Sequence, residues 1–304
     1  MLELIDFGGW KNCIRISNAD CELVVSTEVG PRILRFGFID GQNFFHLVPD
    51  DAGKTGGEQW RLYGGHRLWI APEAIPRTFY PDNYPVSYER DDLSVRLSSD
   101  KETVSGVIKE IKIHLSRDKN QVRVTHRLTN MNDQSIELCA WGLSMMAQHG
   151  RAIIPQEPWG DGDDYLLPAR TMALWQYTQM NDPRWTWGNK YIQAKQDPEH
   201  PSEQKIGVTN KQGWTAYCLK NEILIKKFAF DPKANYIDGG SNHETYINGQ
   251  FLEIETLSSN ELVAPGESIE HTEYWLLVKL VSDESEESID RMVLPLVDGF
   301  KTNA

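Results

Sequence analysis

The sequence predicts an all-β chain: one large antiparallel β-sandwich domain over residues 1–304, with a short helix near its C-terminus. Three observations predict it. Short runs of β-branched, aromatic and aliphatic residues recur at close, regular intervals. Turn signals rich in Asn, Asp and Gly separate them. No helical period lies between them, which argues against a βαβ arrangement.

The elements follow in chain order. Cys21–Thr27 and Arg32–Phe38 read as strands on either side of Gly30-Pro31, and Asp40-Gly41 turns the chain into a further run at Asn43–His46. Leu93–Leu97, Ile108–Leu115 and Val122–Leu128 are parted by Ser99-Asp100-Lys101 and by Arg117-Asp118-Lys119-Asn120. Ile136–Met146 follows the turn Asn130-Met131-Asn132-Asp133, and Trp214–Leu219, Ile223–Phe230, Phe251–Leu257 and Ile269–Leu280 complete the series. Glu284–Leu294 is the helix: Ser282 or Asp283 caps it, and acids in its solvated first turn complement the dipole. Residues 47–66 and 155–203 read as irregular, and long ordered loops on a β scaffold carry function.

Composition narrows the partners. A chain this long buries a core without a disulfide or metal staple. The formal net charge of −13 repels phosphates and anionic lipid, so nucleic acid and membranes are not expected partners. No apolar run reaches the roughly 20 residues of a membrane span. Met1–Asp6 carries acid where a signal peptide carries base. Cys13, Cys21, Cys139 and Cys218 form no C-x-x-C pair and read as reduced thiols of a cytoplasmic protein, although Cys13 and Cys21 would suit a hairpin disulfide in an oxidising compartment.

Three constellations carry candidate chemistry. After the hairpin signal Asn248-Gly249, Leu252 and Ile254 point to one face of a strand, and Glu253 and Glu255 to the other. Two acids so close raise one pKa, as a general acid or base near neutrality requires. In Tyr63-Gly64-Gly65-His66-Arg67-Leu68-Trp69-Ile70-Ala71-Pro72-Glu73, the glycines permit a sharp turn, His66 titrates near neutrality and Arg67 offers a planar fork. The loop aromatics Trp159, Trp175, Tyr177, Trp185 and Trp187 offer flat faces suited to a pyranose or to packing. His149, Asp238 and His243 are loop candidates for ligand contact. Asp161-Gly162-Asp163-Asp164 carries oxygens of the kind calcium takes, but lacks EF-hand spacing. No metalloprotease, phosphate-loop, hydrolase-elbow or dinucleotide motif is present, so no cofactor is expected.

Taken together, Gly64–Glu73 and Phe251–Glu267 resemble segments of the galactose mutarotase-like superfamily, which includes the aldose 1-epimerases. The nearest likeness is to a bacterial branch with a G-G-H-R-x-W-x-A-P-E segment. The resemblance implies a β-supersandwich acting on a free or modified sugar without a cofactor. Glu255, in Ile254-Glu255-Thr256-Leu257, matches the general base that takes the anomeric proton. The strand that carries the family's acid histidine matches Cys139-Ala140-Trp141-Gly142-Leu143-Ser144, which has none. His66, His149 or His243 would then supply the acid, with Arg67, Trp69, Glu73, Trp159, Trp187, Asp238 and Glu253 around the substrate. Two alternatives remain open: a non-catalytic carbohydrate-binding or sensing module, and a sugar lyase or hydrolase using a tyrosine or the paired acids Glu253 and Glu255.

Overall fold

Period-two alternation along most of the chain builds two antiparallel sheets that bury their facing sides against each other. The computed structural model describes residues 1–158, 160–163 and 166–302. In the eleven-stranded sheet the neighbours run β1 (Leu2–Phe7), β2 (Trp10–Ser17), β3 (Cys21–Val25), β4 (Arg32–Phe38), β5 (His66–Ala71), β10 (Ile136–Met146), β19 (Leu252–Leu257), β18 (His243–Ile247), β15 (Gln204–Val208) and β12 (Met172–Leu174). The short β20 (Glu261–Val263) also pairs with β10. The ten-stranded sheet runs β13 (Trp185–Trp187), β14 (Tyr191–Lys195), β11 (Arg151–Pro155), β16 (Trp214–Leu219), β17 (Glu222–Phe228), β21 (Ser268–Lys279), β9 (Gln121–Asn130), β8 (Val107–Leu115), β7 (Ser94–Ser98) and β6 (Ser87–Asp91).

β8 and β9 alternate between buried and more open residues, as a half-solvated sheet requires. β10 is buried on both faces from Leu138 onward, because one face meets the second sheet and the other underlies a cleft. Phe36, Leu68, Ile70, Ile111, Val124, Leu128, Ile254 and Trp275 fill the space between the sheets.

Three sequence expectations change. Asn43–His46 is not a strand: Phe45 makes an isolated bridge to Met146, while the Asn43 side chain accepts from the backbone of Phe36 and Phe45. Residues 155–203 contribute the short strands β12, β13 and β14, too brief for alternation to register. The helix begins later than expected: Ser285 is its N-cap, accepting from the Ser288 amide at 3.2 Å. It continues as α1 (Glu286–Ser288), a π turn over Ile289–Val293, and α2 (Leu294–Gly299). Pro295 has no N–H to close a regular turn, which accounts for the widening before it. Ile289, Val293 and Val297 pack on Ile153, Trp214, Ile223 and Ile225, covering the outer face of the second sheet. The acids there are not merely solvated: Glu286 accepts from the backbone of Lys190 and Tyr191, and Asp290 from the Tyr191 hydroxyl at 2.7 Å.

All four cysteines are free thiols. Among the described residues, no helix is long and apolar enough to cross a membrane.

Candidate functional site

Adjacent residues of a strand face opposite sides of the sheet, and this sorts the candidate residues into two groups. Register aligns Arg67, Leu143, Glu255 and Glu244 across β5, β10, β19 and β18 on the outer face, with Trp69 opposite Trp141 and Glu253 opposite Tyr246. Between them and the loops above lies a cleft of about 340 Å³. Trp60, Trp69, Phe79, Trp141, Tyr177, Tyr246 and Phe251 supply ring surfaces, and Arg67, Glu73, Glu203, Lys205, Glu253 and Glu255 supply polar groups. The entry to β5 depends on Gly64 and Gly65, at φ +87° and +76°; a Cβ there would lie 2.2 Å from the His46 carbonyl oxygen and 2.3 Å from that of Ile33.

Glu255 sits fully buried on the cleft floor. Its Oε2 accepts from Trp141 Nε1 at 2.9 Å and from Lys205 Nζ at 3.1 Å. Its Oε1 has no hydrogen-bond partner among the described residues. Lys205 Nζ also lies 2.7 Å from Glu244 Oε2, and 4.6 and 4.7 Å from the ring centres of Trp141 and Trp175. Burial raises the carboxyls of Glu255 and Glu244 above the usual range, and the Lys205 ammonium pulls both partly back. Burial also lowers Lys205, but the two carboxylates outweigh it and hold the ammonium above an ordinary lysine. Arg67 donates to Glu253 Oε1 at 2.9 Å and lies 4.4 Å over the Trp69 ring. The neighbouring acids Glu253 and Glu255 therefore each have their own cation.

Of the residues singled out in the sequence, Arg67, Trp69, Glu73, Tyr177, Glu253 and Glu255 line this cleft. His66 does not. One step from Arg67 on β5, it faces the second sheet and is fully buried. There Lys226 Nζ donates to Ser144 Oγ, 2.6 Å away, and His66 Nδ1 lies 2.7 Å from the same hydroxyl. His66 Nε2 meets His126 Nε2 at 2.6 Å, and His126 Nδ1 meets the His271 carbonyl at 3.0 Å. One assignment satisfies the whole chain: both rings neutral, Ser144 donating to His66, His66 to His126, and His126 to the carbonyl. Glu273 closes the cluster, accepting from Lys226 at 3.0 Å, Thr256 at 2.6 Å and Trp275 at 2.6 Å. His66, His126 and Glu273 lie close enough to embrace a metal ion. Their atoms are instead consumed by internal hydrogen bonds, and Lys226 already supplies the positive charge, so the residues fit a sealed polar cluster better than a metal centre.

The remaining candidates lie elsewhere. His243 faces inward, stacked 6.1 Å from Phe228, with neither ring nitrogen partnered among the described residues. His149 and Asp238 are exposed turn residues at φ +65° and +49°, outside the cleft lining. Trp187 lies on edge strand β13 of the other sheet, stacked on Trp185 and donating to the Met180 carbonyl at 2.8 Å. Trp159 and Asp164 fall outside the described residues. Asp161 and Asp163 are exposed, and Asp161 accepts the Asp163 amide.

Sequence reasoning missed Lys205, Glu244 and Trp141 as site residues, and missed His126, Lys226, His271 and Glu273 between the sheets. It named Tyr177 only as a loop aromatic. The signal for the inner group was available: each stands in phase with the apolar residues of its strand, as in Val122, Val124, His126 and Leu128.

Two broad antiparallel sheets with an acid-floored, aromatic-walled cleft on one define a mutarotase-like β-sandwich. The fold is that of galactose mutarotase-like proteins from Clostridium acetobutylicum (TM-score 0.56, 12% identity, covering 92% of this chain and 99% of that one) and Lactobacillus casei (TM-score 0.55, 10% identity, 88% and 100%). It also matches a TPR-domain containing protein from Parabacteroides distasonis (TM-score 0.61, 13% identity), over 89% of this chain but 48% of that one, so this chain spans about half the length of that protein. No protein-family model and no curated protein matches the chain.

Proposed function

We propose that the cleft binds an aldose and exchanges its anomers without a cofactor, with Glu255 as the base that takes the proton of the anomeric hydroxyl as the bond from the anomeric carbon to the ring oxygen opens. One observation carries this reading: a buried carboxylate on the cleft floor is held at one oxygen by Trp141 and Lys205, while its other oxygen has no hydrogen-bond partner among the described residues. Indole and phenol faces beside it suit the C–H face of a pyranose. Because burial raises the Glu255 carboxyl, it is a better-matched base near neutral pH than an ordinary glutamate. The hydroxyl of Tyr177, which has no hydrogen-bond partner among the described residues and is pushed up to about 12 chiefly by burial, would donate a hydrogen bond to the ring oxygen. Polarimetry, or NMR exchange between anomers, on a panel of aldoses tests the proposal. Glu255→Gln should abolish the acceleration while sugar still binds; unchanged turnover in that variant removes the mechanism.

A second reading has its own support. None of the eight histidines lines the cleft, so the usual imidazole acid is missing from it. A non-catalytic sugar-binding module predicts saturation transfer to bound sugar with no faster anomer exchange.

A further inference from the structure

Resting on the sugar-binding reading, we propose that the preferred ligand is an amino sugar, specifically one with its amino group next to the anomeric carbon, and that phosphorylated and acidic sugars are excluded. The charge in the cleft carries this. Four carboxylates, Glu73, Glu203, Glu253 and Glu255, line it against two cations, Arg67 and Lys205. Neither cation is free to receive an anion. Arg67 is bound to Glu253 at 2.9 Å and stacked on Trp69. Lys205 is held between Glu244 and Glu255 and faced by two indoles. A phosphate or carboxylate would have to break one of these buried pairs and strand a carboxylate without its counter-charge, a costly exchange.

The acids, by contrast, have capacity to spare. Glu255 lines the cleft, and its buried Oε1 lacks a hydrogen-bond partner among the described residues. Glu73 stands exposed on the cleft wall. A buried acceptor without a donor is unfavourable until a ligand brings one, and an ammonium brings three together with the opposite charge. The surrounding ring faces favour a cation as well. The amino group is placed next to the anomeric carbon because the proposed base must also reach the anomeric hydroxyl, and one carboxylate oxygen can accept from both.

Calorimetric or NMR titration at pH 7 tests this with glucose and galactose, their 2-amino-2-deoxy counterparts and their 6-phosphates. The amino sugars should bind about tenfold tighter than the neutral ones, the size of a partly desolvated ion pair. The advantage should shrink in high salt and in both Glu255→Gln and Glu73→Gln, the second being an exposed position that leaves the buried cluster intact. Phosphates should bind more weakly than the neutral sugars. Equal affinity for amino and neutral sugars, or tighter binding of a phosphate, overturns the proposal. Failure of all six to bind removes the sugar reading itself, and this inference with it.

Discussion

The ammonium of Lys226 lies 3.0 Å from Oε2 of Glu273, with both side chains buried between the two sheets. Burial alone would raise the Glu273 carboxyl, yet Lys226 and the surrounding imidazoles hold it well below the usual range. Removing one partner leaves an uncompensated charge, at a cost of about 3–5 kcal/mol, whereas replacing both with apolar residues is often neutral. Lys226→Met and Glu273→Leu should each lower the denaturation midpoint sharply, and the double variant should recover much of the loss. Additive losses would show that the pair is not coupled.

Stability should fall in mild acid. Burial, the largest cause in each case, lowers His66, His126, His243 and His271, the last two to about 3, against 6.5 when unfolded. These rings are neutral in the fold and take up protons on unfolding. Their contribution is complete above pH 6.5 and is lost as pH falls toward about 3. The raised carboxyls of Glu244 and Glu255 act in the opposite sense, releasing protons on unfolding. The lowered imidazoles outnumber the raised carboxyls, so stability should fall as the pH drops from 6 to 5. Calorimetric melting over that range checks it, and His243→Phe should flatten the slope. A Tm that holds or rises toward pH 5 contradicts this account.

Gly142 is small for a reason of space. A Cβ there would lie 3.2 Å from His126 Cε1 and 3.3 Å from Glu273 Oε1. Gly142→Val should therefore overpack the polar cluster and destabilise the protein by about 1–3 kcal/mol. Urea denaturation gives the number; a neutral or stabilising valine would show that the space is not tight.

Lys205→Met removes the cation that draws the Glu255 carboxyl down. The carboxyl should then rise further. In the mutarotation profile this moves the acid limb to higher pH, while folding, followed by circular dichroism, is retained. An unmoved acid limb would mean that Glu255 does not set it.

Most of the sandwich was legible because a two-residue period, broken by Asn, Asp and Gly turns, is a local signal. Glu253 and Glu255 were legible for the same reason, and β19 does place both in the cleft. The same rule, applied to His66 and Arg67, forbids both from facing one ligand. Their separation was thus readable from adjacency alone. Lys205 was hidden because its meaning arises only when β15 and β18 come to lie beside β19, bringing residues 205, 244 and 255 together. Lys226, His271 and Glu273 looked like surface residues by type, and only their phase with the core residues of β17 and β21 revealed otherwise.

Glu255 and Thr256 are sequence neighbours on β19, one ending in the cleft and the other bonded to Glu273 in the interior. Sliding that strand by a single residue, so that Glu255 takes the place of Thr256, would bring a carboxylate into contact with Glu273 and put Ile254 on the cleft floor. Two like charges sealed in the interior make that misalignment costly. The hidden cluster thus works as an alignment key: it proofreads the pairing of β19, and with it the chemistry presented on the far side.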